Sequence, residues 1–121
     1  MYEGLFRDGK KHGYGVFYNF DNVIYRGNWE FDKQCGYGIE TWPDKTRYEG
    51  EYYLGTKSGS GKQEWPDGSI YEGEFDSDEL HGNGIYRWPD GRSYKGGWMF
   101  GKMNGTGVFV WPDGKCYMGD Y

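Results

Sequence analysis

The sequence predicts an all-β protein: an elongated, single-layer antiparallel sheet of stacked β-hairpins, solenoid-like, built from 23-residue repeats. The first observation is the tetrapeptide WPDG at 65–68, 88–91 and 111–114, with the near copy WPDK at 42–45, a constant step of 23 residues. The second is a set of tyrosines with the same step: Tyr2, Tyr25, Tyr48, Tyr71, Tyr94 and Tyr117. The third is composition, since 21% aromatic residues and 23 glycines favour short strands and turns over helices. A fixed period of this size indicates a repeat array.

Counted from each tyrosine, the chain divides into five full units, and a partial sixth begins at the last tyrosine. The units are 2–24, 25–47, 48–70, 71–93 and 94–116, followed by 117–121. Tyr stands at position 1 of every full unit, Gly at positions 3, 12 and 14, an aromatic residue at position 5 and Asp at position 20. We interpret 1–121 as a single array. It lacks the atypical polar caps that normally end such arrays, so we expect a segment of a longer one.

Positions 1 to 5 predict the first strand of each unit. In YEGEF at 71–75, side chains alternate between the two faces, so that ring, glycine and ring share one face and the glutamates lie on the other. Polar residues and glycine in DSDELHG at 76–82 predict a loop. The pattern G-x-G-x-x-x-W that follows predicts the second strand.

Glycines in the second strand are expected to lie opposite the rings of the first. Pairing position 5 with position 12 places position 3 opposite 14 and position 1 opposite 16. A glycine leaves room for a ring to lie flat over the backbone, which explains a residue type that otherwise weakens a strand. The rings then stack from unit to unit.

WPDG is interpreted as the turn into the next unit. Pro presets φ for the first central position, Asp can bond its own backbone, and Gly takes the positive φ that follows. The tryptophan falls on the ring side of the sheet. Asn22 and Lys45 stand where the other units have this Gly, so both are expected in the left-handed conformation, which is unfavourable for Lys.

The pattern Y-x-G-x-[WFY], then H-G-x-G, then D-G-x-x-Y resembles the MORN repeat (membrane occupation and recognition nexus) over residues 2–121. The resemblance implies an elongated, twisted, single-layer sheet of stacked hairpins. The His of H-G-x-G is kept as His12 and His81. The departures are Cys35, Ser58 and Asn104 in place of this His, and Asp78 in place of a loop Gly.

Composition and spacing argue against several classes of function. A formal net charge of −5 disfavours nucleic-acid binding. His12 and His81 lie three units apart, which disfavours a shared metal or a catalytic triad. The P-loop-like GTKSGSGKQ at 55–63 fails because Thr56 replaces the first required Gly and Gln63 follows Lys62. Glu49 and Glu51 are expected to point outward into water. We therefore predict no enzyme active site, no cofactor and no metal.

A cytoplasmic location is expected. Cys35 and Cys116 fall outside any C-x-x-C spacing and suit free thiols in a reducing compartment. No apolar run approaches the roughly 20 residues that span a bilayer, and no signal peptide is visible. The resemblance to MORN proteins adds association with the cytoskeleton or a cilium as an expectation.

The leading hypothesis is a non-catalytic scaffold that mediates protein–protein interaction or assembly through an aromatic, glycine-floored sheet face, including end-to-end self-association. The resemblance agrees, because many MORN arrays are platforms for peptides, for cytoskeletal or ciliary partners, or for themselves. The candidate binding residues are Phe17, Tyr25, Trp29, Tyr48, Tyr52, Tyr71, Phe75, Tyr86, Tyr94, Trp98 and Phe109.

Two alternatives stay open. One is a membrane or phosphoinositide module, for which the basic cluster Arg7, Lys10 and Lys11 is the candidate lipid site. The other is a non-catalytic region attached to an enzyme, since MORN arrays occur fused to lipid kinase and methyltransferase domains.

Overall fold

The protein is a single open antiparallel sheet of eleven strands in the computed structural model, which describes residues 1–120. The strands are β1 Tyr2–Arg7, β2 Lys10–Tyr18, β3 Ile24–Glu30, β4 Lys33–Thr41, β5 Arg47–Tyr53, β6 Thr56–Glu64, β7 Ile70–Asp76, β8 Glu79–Arg87, β9 Ser93–Met99, β10 Lys102–Val110 and β11 Cys116–Asp120. Each strand pairs with its neighbours in chain order. The predicted fold class is therefore confirmed. Among residues 1–120 there is no helix long and apolar enough to cross a membrane.

The turn inside each unit is shorter than the sequence suggested. The predicted loop over 76–82 is wrong, because β7 ends at Asp76 and β8 begins at Glu79. Only Ser77 and Asp78 lie between them, with φ of 50° and 71°. Two successive positive φ values are typical of a type I′ turn, whose twist matches that of the flanking strands. Asp76 and Glu79, which were also assigned to the predicted loop, lie instead on exposed strand ends.

The turn between units has the predicted form. In the third unit, the Gly68 N–H donates to the Trp65 carbonyl at 3.0 Å, and Gly68 has φ 94°. The Asp67 carboxylate accepts the N–H of Ser69 at 2.8 Å. Lys45 has φ 78°, so its left-handed conformation is confirmed, as is that of Asn22 at 63°.

The register inside each hairpin is only partly as predicted. Position 1 faces position 16 and position 3 faces position 14, as in Tyr25↔Glu40 and Gly27↔Gly38. The expected pairing of position 5 with position 12 is wrong, because Trp29 pairs with Gln34 after a register shift. Gly36 has φ 74°, which interrupts regular pairing at the shift. It lies opposite a ring of the next unit instead, in the pair Gly36↔Tyr52.

The core is a single layer of rings on one face of the sheet. Its buried members are Tyr25, Trp29, Tyr48, Tyr52, Tyr71, Phe75, Tyr94 and Trp98. The rings meet edge to face both within and between units: Tyr48 lies 5.2 Å from Tyr52 and 5.1 Å from Phe75, centroid to centroid. Each such pair contributes about 0.5–1.5 kcal/mol beyond the burial of its area. The layer therefore ties every unit to the next.

Glycines at positions 3 and 14 let these rings lie close to the backbone. The Tyr48 hydroxyl donates to the Glu51 carbonyl at 2.8 Å, which holds the ring flat across the hairpin. A Cβ at Gly61 would overlap that hydroxyl, and a Cβ at Gly50 would come within 2.5 Å of the Gly61 Cα. Any larger residue at these two positions would displace the ring. Glycine is therefore required at Gly50 and Gly61 as the floor of the ring layer.

Candidate partner-binding face

The ring face is the sheet surface that carries unit positions 1, 5, 10, 16 and 18. The structure places most of the predicted binding residues inside it rather than on it. Eight of the eleven candidates are buried in the ring layer: Tyr25, Trp29, Tyr48, Tyr52, Tyr71, Phe75, Tyr94 and Trp98. Phe17, Tyr86 and Phe109 at position 16 are only partly buried and pack on top of this layer. The contact surface therefore comes from positions 10, 16 and 18.

Five of these outer rings form a continuous row, the aromatic ladder. Its members are Trp65, Tyr86, Trp88, Phe109 and Trp111. Successive ring centroids along the row are separated by 5.3, 4.6, 5.3 and 4.5 Å, and the ring planes are tilted by 34–50°. Trp111 is 40% exposed and the other four are partly buried. The ladder is thus a rigid, water-facing aromatic strip over the last three full units.

Position 16 decides where the ladder begins. It is aromatic in the fourth and fifth units, as Tyr86 and Phe109, but polar in the second and third, as Glu40 and Gln63. Because Gln63 stands where Tyr86 and Phe109 join successive tryptophans, no ring links Trp42 to Trp65, and the row begins at Trp65. The sequence pointed to position 16, whereas the joint contribution of the position 18 tryptophans follows only from their packing.

The ladder carries hydrogen-bond donors that the fold leaves unused. In the core, the indole N–H groups of Trp29 and Trp98 donate to backbone carbonyls at 3.4 and 3.3 Å. Within residues 1–120, the three indole N–H groups of the ladder and the Tyr86 hydroxyl have no protein acceptor. The strip therefore offers polar donors at ring edges as well as apolar surface.

The part of the ring face outside the ladder, over the first units, is polar, and its polar side chains are hydrogen-bonded to one another. The Tyr52 hydroxyl donates to Glu40 Oε1 at 2.6 Å, and Lys57 Nζ donates to Gln63 Oε1 at 3.1 Å while lying 5.0 Å from the Trp42 ring centre. Burial raises the pKa of Glu40 and lowers the pKa of Lys57. These groups already have partners within the chain, so they offer less to a ligand than the ladder does.

A cavity of about 320 Å³ opens on this polar part, between the first two units. Phe17 and Trp29 form its apolar wall, and Lys11, Asp32 and Glu40 line its rim. Lys11 Nζ lies 3.9 Å from the Asp32 carboxylate, so the charges on the rim are partly paired.

The predicted lipid site is not assembled as one cluster. Arg7 and Lys10 face each other across the first hairpin turn and are exposed. Lys11 turns to the ring face instead, where its Nζ lies 5.3 Å from the Phe17 ring centre and 5.5 Å from that of Trp29. Two of the three basic groups are therefore available on the turn edge of the sheet.

Three apolar residues at position 7 were missed by the sequence reasoning. Phe31, Leu54 and Phe100 are 57%, 54% and 66% exposed at the tips of their hairpins, with φ of 48°, 48° and 49°. Such φ values are unusual for bulky side chains. An apolar residue directly before Asp or Gly at the turn was the available signal.

Residues 1–120 contain no group of three or more His, Cys, Asp or Glu that could hold a metal ion. Hydrogen bonds from Tyr37 at 2.5 Å and Arg47 at 2.8 Å lower the pKa of Glu49, which makes it a weak base. The expected outward orientation of this carboxylate agrees with that environment.

Comparison with known proteins identifies one family. The sequence model of the MORN repeat matches five segments, residues 2–22, 25–47, 48–70, 71–91 and 94–116. No curated protein matches the chain. One similar solved structure is the SAS-4 (dCPAP) TCP domain in complex with a Proline Rich Motif of Ana2 (dSTIL) of Drosophila Melanogaster. It has a TM-score of 0.46 and 15% identity, with 90% of this chain and 73% of that chain covered. A TM-score at this level supports no conclusion about shared architecture.

Proposed function

Because the chain belongs to the MORN repeat family, we propose that it is a non-catalytic scaffold that binds protein partners through the aromatic ladder. The observation that carries this proposal is the row Trp65, Tyr86, Trp88, Phe109 and Trp111, which faces water while the rings beneath it are buried. Contiguous exposed apolar patches commonly mark interaction sites. Trp and Tyr are also the residue types that contribute most to binding at protein interfaces.

The ring layer beneath the ladder makes the strip rigid before any partner arrives. Tyr86 lies 5.8 Å from the buried Trp98, and Trp88 is in turn packed against Tyr86 at 4.6 Å. Side chains already held in place lose little conformational entropy on binding, so more of the contact energy appears as affinity. This favours a short peptide segment as the ligand, because a strip only one ring wide can be covered by a single extended segment and does not require the surface of a second folded domain.

The test is a selection of random peptides displayed on phage, with the whole chain as bait. We expect enriched peptides whose binding is lost in Trp88→Ala, which opens a gap in the middle of the ladder. The matched control is Phe20→Ala, since Phe20 is a fully exposed ring on a turn away from the ladder. Circular dichroism should show that both variants keep the sheet. Peptides that bind wild type and Trp88→Ala equally would place the binding site elsewhere.

A role at a membrane surface is the second candidate. It is favoured by the exposed apolar tips Phe31 and Leu54, which share the hairpin-turn edge with Arg7 and Lys10. Basic residues near an anionic leaflet contribute about 1 kcal/mol each. Co-sedimentation with liposomes, with and without phosphoinositides, should then weaken as salt is raised and be lost in Arg7→Glu with Lys10→Glu. Absence of binding at low salt would remove this candidate.

We also propose a cytoplasmic location, including association with the cytoskeleton or a cilium. Cys35 and Cys116 are free thiols, which supports a reducing compartment. Imaging of the tagged full chain would test the location, and exclusive recovery from a secretory compartment would contradict it.

A further inference from the structure

We propose that the aromatic ladder binds a proline-rich segment in the polyproline II conformation. This inference rests on the proposed function of the ladder and adds the chemical class of its partner. It follows from the spacing of the rings, from the unused donors at their edges and from the apolar character of the strip.

The spacing of the ladder matches the polyproline II helix. Each unit contributes two strands, and adjacent strands lie about 4.7–4.9 Å apart, so equivalent residues of successive units repeat at about 9.5 Å. A polyproline II helix has three residues per turn and a rise of about 3.1 Å per residue, which gives about 9.3 Å per turn. Every third residue of such a segment would therefore meet Trp65, Trp88 and Trp111 in turn.

Other backbone conformations match this spacing poorly. An α-helix advances about 5.4 Å per turn, so its side chains fall out of step with the tryptophans after one unit. An extended strand returns to the same face after about 6.6–6.8 Å, again out of step. The polyproline II segment stays in register over the three tryptophans because the mismatch per unit is only about 0.2 Å.

The unused donors provide the polar half of the match. A polyproline II helix has no internal hydrogen bonds, so its carbonyl groups are free to accept. Within the described residues, the indole N–H groups of the ladder and the Tyr86 hydroxyl have no protein acceptor. Donors that repeat once per unit can therefore bond one carbonyl per turn of the segment. An α-helical ligand would offer no free carbonyls along its length.

The apolar half of the match lies in the clefts between neighbouring rings. Tyr86 and Trp88 are tilted by 48° at 4.6 Å, and Phe109 and Trp111 by 50° at 4.5 Å. Such clefts suit the flat edge of a proline ring, as in other aromatic-lined grooves that bind proline-rich segments. Leu80 and Met103 occupy position 10 in these units and extend the apolar surface, whereas Lys57 stands there in the third unit.

The experiment uses two fluorescein-labelled peptides of identical composition, titrated with the whole chain and followed by fluorescence polarisation. One peptide has a proline at every third position and the other at every fourth. We expect the first to bind and the second to bind at least about fivefold more weakly. Trp88→Phe keeps a ring but removes one donor, so it should weaken binding of the first peptide by about fivefold, the equivalent of one hydrogen bond. Trp42→Phe, outside the ladder, should leave binding unchanged.

Three outcomes would overturn the inference: equal affinity for both peptides, no binding of either, or full affinity in Trp88→Phe. If Trp88→Phe fails to fold, Trp111→Phe serves in its place, because Trp111 is 40% exposed and lies at the end of the ladder. The phage selection separates the two proposals. Peptides without spaced prolines that still depend on Trp88 would retain the proposed function and overturn this inference, whereas the absence of any Trp88-dependent peptide would overturn both.

Discussion

At the scale of single residues, backbone conformation constrains this sequence more tightly than side-chain chemistry does. The turn between units needs a positive φ at position 21, and Gly68 supplies it at little cost. Lys45 adopts the same conformation at φ 78° and must bring its Cβ close to the following carbonyl. The second unit therefore has a less favourable joint than the third.

Replacing Lys45 by Gly should stabilise the protein. The left-handed conformation costs a non-glycine residue about 1–2 kcal/mol, and the greater freedom of Gly in the unfolded chain offsets part of this gain. We expect the free energy of unfolding to rise by about 0.5–1 kcal/mol, measured by urea denaturation followed by circular dichroism. The converse change, Gly68→Lys, should lower it by a similar amount. A decrease in Lys45→Gly would contradict the assigned strain.

Conformational roles at this scale were readable from the sequence, and contacts across units were not. Asn22 and Lys45 were expected at positive φ because the other three full units have Gly at position 21. The predicted pairing of Gly36 with Trp29 was wrong. The register shift that places Gly36 opposite Tyr52 depends on the geometry of two adjacent hairpins. Composition within one unit carries no information about that shift.

At the scale of one element, the hairpin is defined by its two-residue type I′ turn. Positions 7 and 8 both have positive φ, which Asn, Asp and Gly adopt most readily. Leu54 adopts it at 48° and is more than half exposed, so it gains little from burial in return. Apolar residues at such tips are unfavourable for the fold itself.

Leu54→Asn should therefore raise the stability of the third hairpin. It creates Asn-Gly, the dipeptide best suited to this turn, and relieves a strain of about 1 kcal/mol. Thermal unfolding should shift upward by a few degrees. Asp8 already has a favourable side chain at this position, so Asp8→Asn is the matched control and should change little. If liposome binding also falls in Leu54→Asn, the tip contributes to the membrane candidate.

Element order and strand faces were predictable because alternation along a strand and the 23-residue period act locally. The exposed half of the ring face was harder to predict. Tyr25 and Tyr86 are both aromatic residues on one face with ring neighbours, yet Tyr25 is buried in the ring layer whereas Tyr86 packs on top of it and is only partly buried. Separating core from contact surface requires knowing which neighbours overlap, which is a property of the assembled sheet.

At the scale of the whole molecule, stability is distributed along one layer of tyrosine-rich core. Burial raises the pKa of Tyr25 and Tyr48 above 10.0, and it raises the pKa of Tyr71 to about 12. These hydroxyls stay protonated in the folded array and ionise more readily in the unfolded chain. Their contribution to stability is fully present below pH 10 and is lost as pH rises through the folded-state values.

The protein should accordingly unfold in alkali over a narrow pH range. The urea midpoint should be constant just below pH 10 and fall steeply above it, starting from the unfolded-state value of 10.0. Tyr71→Phe removes one ionisable group and should reduce the steepness of the fall. Tyrosinate absorbance should rise together with the loss of circular dichroism. A midpoint that stays constant well above pH 10 would contradict the role assigned to tyrosine burial.

The order of strands along the chain gives the sheet a direction-dependent mechanical response. Its ladders are joined one after another from β1 to β11, and their hydrogen bonds lie across the strands. Tension applied between the two ends loads these ladders in series, so the weakest opens first and the array lengthens hairpin by hairpin. Tension along the strands shears all bonds of a ladder at once and meets far greater resistance. The array is therefore compliant along its long axis, perpendicular to the strands, and stiff in the direction of the strands.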